Sequence, residues 1–200
     1  MATDSMRRMS IQNEAGMMLD VFKTVISERK AIYCSGPLTS GRRAIEWYRQ
    51  HPDCERDIDT LSRGLRDDFE RTVVDENART FKHFVSQIRE NTREVVIDPS
   101  ALEGWNWNQS QWLEFWCDVI SKYVRTVVLT PDWQYSKGSS VECLVALHQK
   151  KKVELYDGSP IDYAYAAKQI QDAGRELEEN GFKNHHFENV SALAVQYLNV

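Results

Sequence analysis

The sequence predicts an α/β fold: one doubly wound, mainly parallel sheet with helices on both faces. Three observations predict it. Four apolar runs of strand length recur at residues 31–34, 95–97, 126–129 and 153–156. Segments with apolar residues at helical spacing separate them. Most of the runs close on turn residues, as at Ser35-Gly36-Pro37, Asp98-Pro99 and Asp157-Gly158. Parallel neighbours need crossover connections, and alternating helices supply them.

Each element follows from its own residues. Met17, Met18, Val21, Phe22, Val25 and Ile26 recur at helical spacing and predict an N-terminal amphipathic helix over about 13–29. The strand at 31–34 follows. The polar segment from Thr39 to about Arg66 holds Gly41, Pro52 and Gly64 among many charges. It is too long for an ordinary connection and is expected to be a functional loop or lid with some helix.

Phe69, Val73, Phe81, Phe84, Val85 and Ile88 predict a helix over about 68–91, leading to the strand at 95–97. The tryptophan-rich stretch 105–116 enters a helix containing Leu113, Cys117 and Ile120. The strand at 126–129, a helix over about 141–149 and the strand at 153–156 come next. The chain finishes on two helices, about 162–180 and 189–197. No repeat or linker divides the chain, so a single domain is expected over 1–200, with its core at about 31–157.

Composition bounds the function. The chain has 200 residues, 42% hydrophobic and 28% charged, enough for one full core. A net charge of −5 with no basic run argues against binding a nucleic acid polymer. No apolar run is long enough to cross a bilayer, and the opening residues do not read as a targeting signal, so no membrane partner and a cytoplasmic location are expected. Cys34, Cys54, Cys117 and Cys143 form no C-x-x-C pair, and His148, His185 and His186 have no metal-type spacing. No metal and no cofactor are expected, and Cys34, Cys117 and Cys143 read as buried free thiols.

The chemistry is expected at strand ends, where open α/β sheets hold their ligands. After the first strand come Ser35, Gly36, Gly41, Arg42 and Arg43: small residues that admit a ligand, and arginines that fork onto phosphate oxygens. A solvated turn with surface arginines fits the same residues equally well. After the third strand, 132–142 runs through Ser136 and Gly138 to Glu142, a small-residue turn opening a helix and therefore a natural anion site.

Asp118, in the helix before that strand, and Glu142, after it, can form a carboxylate pair suited to glycosyl chemistry. A solvated helix face for Asp118 and a dipole-favoured helix-start acid for Glu142 is the plain alternative. Trp105, Trp107 and Trp133 occupy turn-like segments and are the candidates for stacking on a base, whereas Trp112 and Trp116, one helical turn apart, suit packing on the sheet.

Taken together, these residues resemble the nucleoside 2-deoxyribosyltransferase-like superfamily, and within it the hydrolytic branch of nucleoside 5′-monophosphate N-glycosidases. Three elements carry the resemblance: a first strand ending Tyr33-Cys34-Ser35-Gly36 with Gly41-Arg42 soon after, an Asp in the helix before the third strand, Asp118, and the Ser-x-Gly-x-x-x-Glu turn of Ser136, Gly138 and Glu142. It spans about 31–157.

The resemblance implies a flavodoxin/Rossmann-like fold. It makes Glu142 the nucleophile, Asp118 the proton donor or sugar anchor and Tyr33 the residue that orients Glu142. Ser136 and Gly138 would hold the 5′-phosphate, with Ser35, Gly36, Gly41 and Arg42 in support. The transferases keep an acid where this chain has Ser136, and a carboxylate there would repel a phosphate dianion. Hydrolysis of a nucleotide substrate is therefore the expectation. The superfamily also implies a homodimer or larger homo-oligomer, to which the segment with Tyr163, Tyr165 and Tyr197 would contribute. A deoxyribosyltransferase and a non-catalytic nucleotide- or NAD-derivative-binding protein are the alternatives.

Overall fold

A computed structural model describes residues 2–26, 30–102, 107–182 and 190. Its centre is a four-stranded sheet in the order β2-β1-β3-β4, every pair parallel. The strands are β1 Ala31–Ser35, β2 Val96–Ile97, β3 Val124–Leu129 and β4 Lys152–Leu155. The seven helices described are α1 Ala2–Val25, α2 Arg42–Gln50, α3 Arg63–Phe69, α4 Asp75–Glu90, α5 Gln109–Tyr123, α6 Lys137–His148 and α7 Tyr163–Glu179. This is the doubly wound α/β architecture that the alternation of elements predicts.

Strand alternation sorts the core. Side chains of period two point to opposite faces of a sheet. Ala31, Tyr33, Val127 and Leu129 join the larger apolar cluster with residues of α1, α5, α6 and α7. Ile32, Cys34, Val96 and Val128 meet Phe81 and Val85 of α4 on the other face. In α5, Asn108 and Gln111 form a reciprocal capping box, which fixes the helix start after the tryptophan-rich stretch. Phe22 of α1 packs against Phe115, Trp116 and Tyr123.

The polar segment after β1 contains helix, as expected, but packs as a core of its own and not as a loop or lid. It contains α2, whose Ala44, Ile45, Trp47 and Tyr48 are buried. Ala44, Trp47 and Tyr48 form a separate cluster with Leu61, Phe69 and Val73. The expected helix at 68–91 begins earlier, at Arg63, and passes through a π-helical turn, Glu70–Val74, before α4. The wider turn changes the phase of the helix. Phe69 and Val73 thus face α2, while Phe81 and Val85 face the sheet. The last expected helix, 189–197, lies outside the described residues apart from Val190, which is buried in the larger cluster.

The edge strand β4 is covered by its own continuation: Leu155 N–H donates to Ser159 O and Ile161 N–H to Val153 O. That pairing satisfies backbone groups an open edge would expose. Among the described residues, no helix is long and apolar enough to cross a membrane.

Candidate active site

The chain leaves β1 for β2 on one side and takes up β3 on the other. The crevice at the carboxyl ends of β1 and β3 is thus the point where strand order reverses, the usual place for a ligand in such sheets. Thr130 N–H donates to Ser35 O at 2.9 Å, prolonging the β1–β3 pairing up to that crevice. Three segments converge on it: the end of β1 with residues 36–41, the β3 exit at 130–136, and α6.

Glu142 lies in the second turn of α6, one turn later than the sequence suggests, because the helix begins at Lys137. It is only 7% exposed. Tyr33 Oη donates to its Oε1 at 2.8 Å, and Ser35 Oγ donates to its Oε2 at 2.5 Å. Tyr33 and Ser35 are two apart on β1, so their side chains leave the same face and reach one carboxylate together.

Burial raises the Glu142 carboxyl to about 7, against the pull of the Ser35 and Tyr33 hydrogen bonds, which favour its ionised form. Burial, and then the Glu142 charge, hold the Tyr33 phenol well above its ordinary range, so it stays a donor. Trp116 backs Tyr33 with ring centroids 5.7 Å apart. The carboxylate is therefore fixed at both oxygens by rigid elements.

The other predicted residues sort into those near this centre and those with other work. Ser35 was expected to support a phosphate; its hydroxyl is instead committed to Glu142, and the residue is 1% exposed. Gly36 was expected in the same role. Its smallness answers to packing, since a Cβ there would lie 1.9 Å from Thr130 Oγ1.

Gly41 has φ +91°, a conformation glycine adopts without strain, and lies against Pro37 and Asp132. Ser136 caps α6, its Oγ accepting from Ser139 N–H at 3.3 Å. Gly138 follows in the first turn, where an added Cβ would meet only Ser136 Oγ, at 3.9 Å. The α6 N-terminus thus offers backbone N–H groups close to Ser136 and Gly138, the geometry that suits an anion.

Asp118 is not brought into contact with Glu142. Its Oδ2 accepts from Lys122 Nζ at 3.0 Å, one turn along α5 on a partly exposed face. Both charges act on the Cys117 thiol, which burial first and then Glu142 and Asp118 push up.

The stacking candidates also differ from expectation. Trp107 is 9% exposed and packs on Trp112 and Phe115, and Trp133 is 3% exposed within the larger cluster. Their ring faces serve the core. Trp105 lies outside the described residues.

Three residues with roles at this crevice carry no sequence motif. Thr130 sets the close approach at Gly36. Asn77 of α4, 7% exposed, donates to Leu38 O and Ser40 O at 2.9 Å each and accepts from Arg43, pinning the loop after β1. Asp132 accepts the Arg42 backbone N–H at 3.1 Å. Only Asp132 leaves a trace in the sequence, as a residue type tolerant of left-handed backbone placed directly after Pro131.

Cys34, Cys117 and Cys143 are buried free thiols, as expected. No grouping of three or more potential metal ligands occurs among the described residues. In comparisons with known proteins, no family model, curated protein or solved structure matches this chain.

Proposed function

We propose that the protein hydrolyses the N-glycosidic bond of a nucleoside 5′-monophosphate, releasing free base and a pentose 5-phosphate. The observation that carries this reading is the Glu142 carboxylate, buried at the switch point of the sheet and held at both oxygens by Tyr33 and Ser35. Beside it stands the N-terminus of α6, a fitting place for the phosphate.

In the reaction, one Glu142 oxygen bonds to C1′ as the C1′–N bond breaks, and the bond electrons leave with the base, which takes up a proton. Water then attacks C1′, the C1′–Glu142 ester bond breaks, and the carboxylate is restored as the water's proton is released. The desolvated carboxyl is more basic than an exposed one, which favours attack once it is ionised. Solvent supplies that proton, because Asp118 is paired with Lys122 and would have to leave it and take up a proton before it could act as the acid.

Incubation with a panel of nucleoside monophosphates, with released bases read by chromatography, tests the reading. The wild-type protein should release base from at least one, and Glu142→Ala should bind that nucleotide without cleaving it. An unchanged rate in Glu142→Ala removes the catalytic assignment. A new nucleoside formed on adding an acceptor base identifies a transferase instead.

A second reading, nucleotide binding without chemistry, is favoured by two observations. Both Glu142 oxygens already have partners, and Asp118 is engaged with Lys122. It predicts ligand recovered intact after long incubation.

A further inference from the structure

The rim of the crevice carries a pair of opposite charges that the proposed reaction does not use. Arg42 opens α2, where its backbone N–H has no partner within the helix. Asp132 Oδ2 accepts that N–H at 3.1 Å, and Asp132 Oδ1 lies 3.4 Å from the guanidinium Nε. The guanidinium carbon also sits 5.6 Å from the centroid of the Tyr135 ring. Tyr135 directly precedes Ser136, the N-cap of α6. Arg42 therefore stands beside the helix N-terminus with its charge already matched.

The two links between Arg42 and Asp132 differ in kind. The backbone link closes a helix end and ties the loop after β1 to the loop after β3. The charge pair is a single contact whose arginine side chain is 66% exposed and whose aspartate side chain is 28% exposed. An exposed pair of that sort is weak. A phosphate, with three acceptor oxygens, matches the guanidinium fork better than one carboxylate oxygen does. Asp132 also sits at φ 66°, a left-handed conformation that aspartate tolerates better than most residues and that fixes where its carboxylate leaves the chain.

We infer that Asp132 is a counter-ion gate. It holds the Arg42 guanidinium at the rim and yields it to an arriving phosphate, and so limits how strongly the site prefers phosphorylated over unphosphorylated ligands. The inference rests on the reading of this crevice as a phosphate site. It assigns Asp132 a part in specificity and none in the chemical step.

Asp132→Asn isolates the charge. Asparagine tolerates left-handed backbone and accepts the Arg42 N–H with its amide oxygen. Asp132→Gly, equally at ease in that conformation, guards against an effect peculiar to the amide. Titration calorimetry with ribose 5-phosphate and with ribose, on the full chain, reads the preference without depending on the base.

Both variants should bind ribose 5-phosphate roughly five- to tenfold more tightly at low ionic strength and ribose unchanged, and the gain should shrink as salt rises. In an Arg42→Gln background the same substitutions should gain less than about twofold, because no guanidinium remains to be freed. Equal or weaker binding of ribose 5-phosphate by both variants overturns the gate, as does an undiminished gain without Arg42. Failure of every form, wild type included, to bind ribose 5-phosphate overturns the phosphate site itself, and the gate with it.

Discussion

Tyr33 and Glu142, 109 residues apart in the chain, meet through a 2.8 Å hydrogen bond inside the fold. The phenol comes from the central strand and the carboxylate from the helix after the neighbouring strand, so sheet register and helix start together fix their separation. Ser35 completes the arrangement from the same strand. The consequence is a carboxyl group that the fold keeps out of water and must still ionise if it is to act as a nucleophile.

That conflict has a signature in stability. In the unfolded chain Glu142 ionises near 4.5, whereas in the fold burial holds its proton to about 7. Between those values the unfolded state gives up a proton that the folded state keeps, so this group's contribution to stability falls as pH rises across that window. At roughly 1.4 kcal/mol per pH unit the loss is about 3 kcal/mol, complete above pH ~7. Glu142→Gln, which cannot ionise, should escape it. Thermal unfolding should show the variant's advantage over wild type growing from pH ~4.5 to pH ~8. A constant difference across that range contradicts the buried-acid account.

On the proposed reading, the same group should set the pH dependence of base release. If the ionised carboxylate attacks, kcat/KM rises with pH and levels off above the Glu142 value of about 7. The Ser35 and Tyr33 hydrogen bonds both lower that value, with Ser35 the larger influence. Tyr33→Phe should therefore move the rising limb to higher pH, and Ser35→Ala should move it further. Limbs that stay in place would assign the titration to another group.

Packing at the crevice makes a separate prediction. A Cβ on Gly36 would lie 1.9 Å from Thr130 Oγ1 and 3.2 Å from Thr130 Cβ. Gly36→Ala should destabilise the fold by about 1–3 kcal/mol, the usual range for overpacking, as read by chemical denaturation. Combining it with Thr130→Ala should cost less than the two single changes added together, since the colliding hydroxyl is gone. Strict additivity would remove the close approach as the reason for glycine here.

How far the sequence disclosed this molecule depends on which forces act at each place. The strands were legible because four short apolar runs are bounded by turn residues; their observed limits differ by a residue or two. α2 was not. Its buried Ala44, Ile45, Trp47 and Tyr48 sit among charges in a helix of nine residues, too short for periodicity to stand out. The π-helical turn at Glu70–Val74 was equally hidden, because an inserted residue breaks the very spacing by which a helix is recognised.

At the site, strand-end placement and resemblance single out Glu142 and Tyr33, but nothing local to Ser35 shows that its hydroxyl is bonded to Glu142. That carboxylate lies 107 positions from Ser35, and Asp132 is 90 positions from Arg42. Such contacts exist only once the sheet has formed. Trp107 and Trp133 misled because turn-like surroundings suggested exposure, while the folded chain uses both rings as core.

The central claim is a covalent one, so the most direct test looks for the bond. The full chain should be mixed with a nucleoside monophosphate that it cleaves, in a 2′-fluoro form that slows the second step, then digested and read by mass spectrometry. The account predicts the added mass of a fluorinated pentose phosphate on the peptide containing Glu142, and none in Glu142→Gln. Continued release of base with no adduct, or an adduct on any other residue, contradicts it.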